Sequence, residues 1–293
     1  MHVLMTGATG QLGRFIAQGL KGEGHRLTCL GRSAPFDGAD ALLPFDLLGP
    51  VADLPRADVL VHCALLHEPG RYRGGEGDDP ERFRAANVAG TARLFEAAKS
   101  AGAGQVIFLS SRAVYGKQRE GAALTEDMVP NPDTLYGLAK LEGERQLEAL
   151  CGDGLKGVSL RATGIYGRPP GLASHKWSGL FADFLKGEPI PPRCGTEVHG
   201  EDLASAVSVV IGAKAQLPDH SVFNLSDLVL DRHDLLKCVR EIWDIGRDLP
   251  EPLGPLATSG VMSSKKLRRL GWSPGGLSKL RRFLESERAI SGH

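Results

Sequence analysis

Apolar residues in the first half of the chain come in short runs, separated by longer amphipathic stretches. The runs at residues 2–5, 26–30, 41–45, 58–62, 105–109 and 157–160 predict strands. The stretches at 11–22, 81–101 and 134–150 predict helices. Strands alternating with helices imply a parallel sheet covered on both faces. The near-continuous apolar character of the runs agrees, because such strands are buried on both sides. The fold class expected is α/β, with a doubly wound parallel sheet.

The pattern loosens after Arg161. Residues 166–199 contain Arg168-Pro169-Pro170-Gly171 and a proline-rich stretch at 189–192, and read as irregular. Further helices are expected at 202–213, 231–243, 263–270 and 277–288, and a strand at 222–225. Together these describe a small, discontinuous C-terminal lobe on the end of the sheet. The expected division is 1–165 with 201–226 for the sheet domain, and 166–200 with 227–293 for the lobe. Residues 68–80 are polar and glycine-rich, and read as a mobile loop beside the site.

Composition narrows the partners. The 293 residues suffice for a large core. The 35 basic residues balance the 35 acidic ones, so the chain lacks the basic footprint of a nucleic-acid binder. A small molecule is the expected partner. Cys29, Cys63, Cys151, Cys194 and Cys238 form no CxxC pair and no metal-ligand spacing, and read as reduced thiols. No metal is expected. No apolar run reaches membrane-span length, and no leader pattern precedes the first strand, so a cytoplasmic protein is expected.

Between the first strand and first helix lies Thr6-Gly7-Ala8-Thr9-Gly10-Gln11-Leu12-Gly13. In this context Gly7 permits a tight turn, Gly10 lets the backbone approach a pyrophosphate, and Gly13 lets helix and strand pack closely. The helix N-terminus supplies amides and a positive dipole end for phosphate. The second strand ends at Gly31-Arg32-Ser33 rather than at an acidic residue. A guanidinium there suits the 2′-phosphate of NADP, which favors NADP over NAD. Asp46 fits two roles, an acceptor for the adenine amino group or a helix cap.

Tyr136 and Lys140 stand one turn apart at the start of a helix. A neighboring ammonium favors the phenolate, so Tyr136 can take a proton from a substrate hydroxyl and return it in the reverse direction. The buried run at 105–109 ends in Ser110 and Ser111, at the strand end where open α/β folds bind ligands. Ser111 can bond the reacting oxygen, with Ser110 as the alternative. Asn87 lies on the apolar stripe of Phe83, Gly90 and Leu94 and needs buried partners. It is either catalytic or a brace for the backbone beneath the tyrosine–lysine helix.

These pieces together resemble the extended short-chain dehydrogenase/reductase superfamily, also named the NAD-dependent epimerase/dehydratase family. The resemblance rests on TGATGQLG at 6–13, Asp46-Leu47, NVAGTARLFEAA at 87–98 and FLSSRAVYG at 108–116. It continues with YGLAK at 136–140, LRATGIYG at 160–167 and, more weakly, VHGEDLASAV at 198–207. It implies a Rossmann-like domain with a smaller substrate lobe. It also implies catalytic roles for Ser111, Tyr136 and Lys140, and cofactor contacts from Thr9, Gln11, Leu12, Asp46, Leu47, Ala64 and Ile165. A homodimer formed through the helices at 81–101 and 134–150 is a further implication. Relatives acting on nucleotide sugars usually place an arginine just before the segment matching VHGEDLA. Here Thr196 and Glu197 stand there, with Arg193 offset. This departure favors a smaller substrate, with His67, Arg112 and Arg168 as expected contacts.

Three functions follow from the reading. The first is an NADP-preferring oxidoreductase on a small hydroxyl or carbonyl compound such as a sugar, aldehyde or ketone. The second is an epimerase or dehydratase, in which the hydride leaves and returns within one turnover. The third is a Rossmann module that senses NADP without chemistry.

Overall fold

The computed structural model describes residues 1–34, 39–68, 75–118, 123–253 and 260–291. Its strands are β1 (His2–Thr6), β2 (Arg26–Leu30), β3 (Ala41–Leu43), β4 (Val59–His62), β5 (Gln105–Ser111), β6 (Lys156–Ala162), β7 (Gly164–Tyr166), β8 (Cys194–His199), β9 (His220–Leu225) and β10 (Leu228–Asp231). Its α-helices are α1 (Gln11–Gly22), α2 (Pro80–Arg84), α3 (Thr91–Ser100), α4 (Leu135–Leu150), α5 (Ser178–Lys186), α6 (Gly200–Gly212), α7 (Arg232–Trp243), α8 (Lys265–Arg269) and α9 (Gly276–Ser291).

Seven strands form one parallel sheet in the order β3-β2-β1-β4-β5-β6-β9. The chain winds outward from β1 to β3, then returns to place β4 on the other side of β1. That reversal opens a crevice beyond the carboxyl ends of β1 and β4, where such sheets bind ligands. The fold is the Rossmann-like α/β arrangement expected.

Alternate residues along each strand feed opposite layers. Val3 and Met5 point to one side, where Ile16 and Leu20 of α1 and Val207 and Val210 of α6 cover them. Leu4 points to the other, with Leu94 and Phe95 of α3 and Leu147 of α4. Each such side chain contributes about 1.5–3 kcal/mol by leaving water. Gly143 lets α4 lie directly on β5, since a Cβ there would fall 2.8 Å from the Phe108 ring. A third apolar cluster joins Trp177, Phe181 and Phe184 to Leu236 and Trp243 of α7 and to Phe283 and Leu284 of α9. A three-stranded sheet, β10-β8-β7, runs beside it. No helix among the described residues is long and apolar enough to cross a membrane.

Three stretches differ from the sequence expectation. β3 stops at Leu43 instead of reaching residue 45, because Pro44 cannot donate to a ladder. The helix expected at 81–101 is α2 and α3 joined by a wider π-helical segment, Ala85–Gly90. The segment expected to be irregular, 166–199, contains α5 and β8. Both are short and flanked by Pro and Gly, so their local signal is weak; Phe181 and Phe184 hold α5 by packing in the third cluster. Residues 69–74 of the expected loop at 68–80 lie outside the described residues.

Candidate active site

The glycine turn is built by close approach. Gly7 has φ of +69°, and a Cβ on it would fall 2.6 Å from the Ala64 amide nitrogen at the end of β4. A Cβ on Gly13 would fall 2.1 Å from the Gly7 carbonyl oxygen. Gly10 differs: it is exposed, and a Cβ there would meet only that same carbonyl, at 3.3 Å. Its outer face is open to an incoming group. Gly10 also caps α1 without a side-chain acceptor, so the helix presents its dipole to the crevice with Gln11 and Leu12 as its first residues. Thr9 is exposed beside them, and its carbonyl accepts from Arg14 Nε at 3.0 Å. This cradle fits a dinucleotide pyrophosphate.

At the end of β2, Arg32 is exposed and lines a surface hollow with Gly31, Phe45, Asp46 and Pro50. The Asp46 carboxylate accepts from the Leu48 amide at 2.8 Å and so caps the turn at 46–49. Leu47 is buried, and its carbonyl accepts from Arg93 at 2.9 Å.

The ends of β5 and α4 meet through their backbones. A Cβ on Gly137, the residue after Tyr136, would fall 2.5 Å from the carbonyl oxygen of Ala113, two residues past Ser111. The segments carrying Tyr136 and Ser111 are therefore in contact. Thr134 starts α4 by accepting from the Gly137 amide at 3.0 Å. Tyr136 is half-buried, and Lys140 follows one turn later, fully enclosed. Lys140 Nζ donates to the Leu109 carbonyl at 2.7 Å and lies 4.7 Å from the center of the Phe108 ring. Burial pulls its pKa down to about 8, against the upward pull of Cys63 and Glu144. Burial raises the Cys63 thiol to about 12.

The two serines separate clearly. Ser110 is buried and donates to Glu144, which also holds Arg161 at 2.6 Å. Ser111 is half-buried at the strand end, and its Oγ accepts from the Ala113 amide at 3.1 Å. Sequence reasoning missed the Glu144–Arg161 pair. Glu144 stands one turn beyond Lys140, and Arg161 interrupts a buried strand; both were signals of a buried partner. Arg161 also lies 4.8 Å from the Tyr115 ring center, and the Tyr115 hydroxyl donates to Asn224 at 2.7 Å.

Asn87 sits in the π-helical segment. Its Oδ1 accepts from the Leu66 amide, and its Nδ2 donates to the Leu66 and Phe83 carbonyls, at 2.8, 2.8 and 3.0 Å. It braces the loop after β4, whereas the expected brace lay beneath α4. Thr6 ties that loop to β1: the Cys63 and Ala64 amides donate to its Oγ1 at 3.2 Å, and His62 Nδ1 bonds it at 2.6 Å. Burial, aided by Lys140, holds His62 down to about 3, so its ring is neutral.

The expected substrate contacts are dispersed. Half-buried His67 bonds the Glu68 carbonyl at 2.7 Å through Nδ1. Arg112 Nε donates to the Gly260 carbonyl at 2.9 Å. Arg168 forks onto Glu287 of α9, which His175 also approaches at 3.0 Å. Ile165 lies in β7, paired with Val198. A pocket between α5, β8 and the start of α7 contains Lys176 and Glu197, which form an ion pair at 2.5 Å.

Comparison with known proteins gives a consistent pattern. Residues 3–226 match the model of the NAD dependent epimerase/dehydratase family. UDP-glucose 4-epimerase of Vibrio cholerae is 30% identical over 260 residues, covering 82% of this chain and 74% of that protein. Uronate dehydrogenase of Pseudomonas syringae pv. tomato is 29% identical over 178 residues, covering 57% and 61%. Methionine adenosyltransferase 2 subunit beta of Danio rerio is 36% identical over 156 residues; the match spans 51% of this chain and 44% of that protein. Among solved structures, MoeE5 in complex with UDP-glucose and NAD shares the fold at a TM-score of 0.80, with 24% identity and full coverage of both chains.

Proposed function

Because the chain belongs to the NAD-dependent epimerase/dehydratase family, and with it to enzymes of the extended short-chain dehydrogenase type, we propose that it is an NAD(P)-dependent oxidoreductase acting on a small hydroxyl or carbonyl compound. The observation that carries this reading is the backbone contact between the Tyr136 and Ser111 segments, with the buried Lys140 ammonium one turn away. When bound, the dinucleotide accepts or supplies the hydride.

The chain's own residues do the rest. Gly7, Gly10 and Gly13 shape the turn, and Thr9, Gln11 and Leu12 place the α1 amides at the pyrophosphate. Arg32 at the rim of the hollow selects NADP, and Asp46 and Leu47 border the adenosine. Ala64 and Ile165 flank the nicotinamide side. Tyr136 takes the substrate hydroxyl proton in oxidation and donates it in reduction, while Ser111 bonds the reacting oxygen. Lys140, with its pKa at about 8, is protonated at neutral pH; it favors the phenolate and reaches a ribose hydroxyl. Asn87 acts through the Leu66 loop as a positioning residue. His67, Arg112 and Arg168 contact the substrate, Arg112 being tied to Gly260 and Arg168 to Glu287 of the substrate unit made of residues 166–200 and 227–293. Two copies pair through α3 and α4, which sedimentation tests.

Tyr136→Phe tests the mechanism. Turnover falls by about a thousandfold or more, within the usual range for loss of an acid–base group, while NADPH affinity measured by fluorescence titration stays within about twofold. Unchanged turnover removes Tyr136 from the chemistry. The similarity to UDP-glucose 4-epimerase supports a second reading, an epimerase in which the hydride returns to the same molecule. A net change in nicotinamide absorbance equal to product formed selects the first reading; turnover without it selects the second.

A further inference from the structure

Lys140 and Glu144 stand one turn apart on α4, and both are buried. At this spacing their Cβ atoms lie roughly 5–6 Å apart, and a lysine and a glutamate pair readily. Here each turns to β5 instead. Lys140 Nζ donates to the Leu109 carbonyl, and the Glu144 carboxylate accepts from Ser110, the next residue of the strand. The reason lies on the carboxylate. An ionized carboxylate offers about four lone-pair positions. Arg161 Nε reaches Oε1 at 3.0 Å and Oε2 at 3.2 Å, Arg161 Nη2 reaches Oε2 at 2.6 Å, and the Ser110 hydroxyl bonds Oε1. These four contacts fill it.

Arg161 is itself held in place. Ser110 and Asn224 are its neighbors across the sheet, on β5 and β9. Its guanidinium lies over the Tyr115 ring, whose hydroxyl donates to Asn224 at 2.7 Å. The other groups around Lys140 offer it no charge at neutral pH. Cys63, just past β4, is a thiol with its pKa at about 12, and His62 on β4 is a neutral ring at about 3. The β5 side presents the Phe108 ring and the Leu109 carbonyl. Tyr136 stands one turn earlier on α4 itself. A Glu144 carboxylate with an open lone pair would therefore be the strongest acceptor within reach of the ammonium. An ammonium bound there would point away from the chemistry, because Glu144 lies one turn beyond Lys140 and Tyr136 one turn before it.

Resting on the reading of Lys140 as the cation that serves Tyr136 and the ribose, we infer that Arg161 is a positioning residue for the reaction: by saturating Glu144 it keeps the Lys140 ammonium from pairing with that carboxylate, and leaves it free to turn toward Tyr136 and the dinucleotide.

The test follows Lys140 directly, by carbon NMR of lysine labeled at Cε in the full chain without cofactor, its signal assigned by its loss in Lys140→Met. In the wild type the ammonium titrates at about 8. Arg161→Met opens the carboxylate, and pairing raises that midpoint to about 9 or above. NADPH affinity at neutral pH, by fluorescence titration, falls by about tenfold. Arg161→Met combined with Glu144→Leu removes both charges and the trap with them. The midpoint then returns to about 8 or below, and NADPH affinity recovers to within about threefold of the wild type. An unchanged or lowered midpoint in a folded Arg161→Met protein overturns the inference. So does a double variant that binds NADPH no better than the single one, the order that a loss of packing alone would give. Where Arg161→Met fails to fold, the wild-type titration and the double variant decide. A wild-type midpoint above about 10 means that Lys140 already shares the carboxylate, and overturns the inference. A midpoint near 8, with a folded double variant that binds NADPH, supports it. A chain that binds neither NADPH nor NADH refutes the oxidoreductase reading instead, and the Lys140 titration still tests the pairing.

Discussion

Arg161 on β6 and Arg168, just past β7, each meet a carboxylate, but in differently built regions. In the sheet, Arg161 and Glu144 are both 4% exposed, and the partner comes from α4, 17 residues earlier in the chain. In the C-terminal region, Arg168 is 26% exposed, and its partner Glu287 comes from α9, 119 residues later. Glu287 also has His175 beside it, whereas Glu144 has only Ser110 besides its arginine among the bonds described above. The sheet region thus seals its charges between adjacent elements. The C-terminal region shares its charges across the end of the chain, burying Glu287 and His175 and leaving only Arg168 partly wet.

This contrast predicts unequal damage. Arg161→Met strands a buried carboxylate and costs about 3–5 kcal/mol of unfolding free energy. Arg168→Met leaves the buried Glu287 with His175 as a second partner, and costs about 1–3 kcal/mol. Urea unfolding measures both, and equal losses would break the comparison. Lys140 sharpens it on the chemical side. Its pKa is lowered by burial to about 8, so the ammonium is present below that pH and lost above it. NADPH affinity therefore falls as pH rises through about 8, and Lys140→Met flattens that response by fluorescence titration. An identical pH response in the variant assigns the effect to another group. The smallest effect belongs to the exposed rim. Arg32→Asp shifts the ratio of NADPH to NADH affinity by about tenfold toward NADH, and a constant ratio removes Arg32 from cofactor choice.

Much of the sheet side was readable in advance because its signals are local. The glycine spacing, the tyrosine–lysine turn and the apolar strands each depend on residues within about one element of each other. The stripe of Asn87 was legible too, but its partner was not. It bonds Leu66, and only the placement of β4 beside the π-helical segment brings that loop within reach. The choice between Ser110 and Ser111 also needed the fold, because it turns on which hydroxyl the Glu144 carboxylate captures. In the C-terminal region α5 and β8 escaped notice, since α5 rests on Trp243 and Phe283 far along the chain, and β8 on its pairing with β7 and β10, rather than on local periodicity.

By itself the amino-acid order determined the parallel α/β sheet, the phosphate-sized turn at Gly7 to Gly13 and the shared helix face of Tyr136 and Lys140. Hydrophobic period, glycine sterics and helix pitch act over a few residues and need no tertiary partner. Only the folded chain decided which charges are neutralized: Glu144 by Arg161, Glu197 by Lys176 and Glu287 by Arg168. Electrostatic pairing depends on distance through space and on burial, and neither quantity is written in the spacing along the chain.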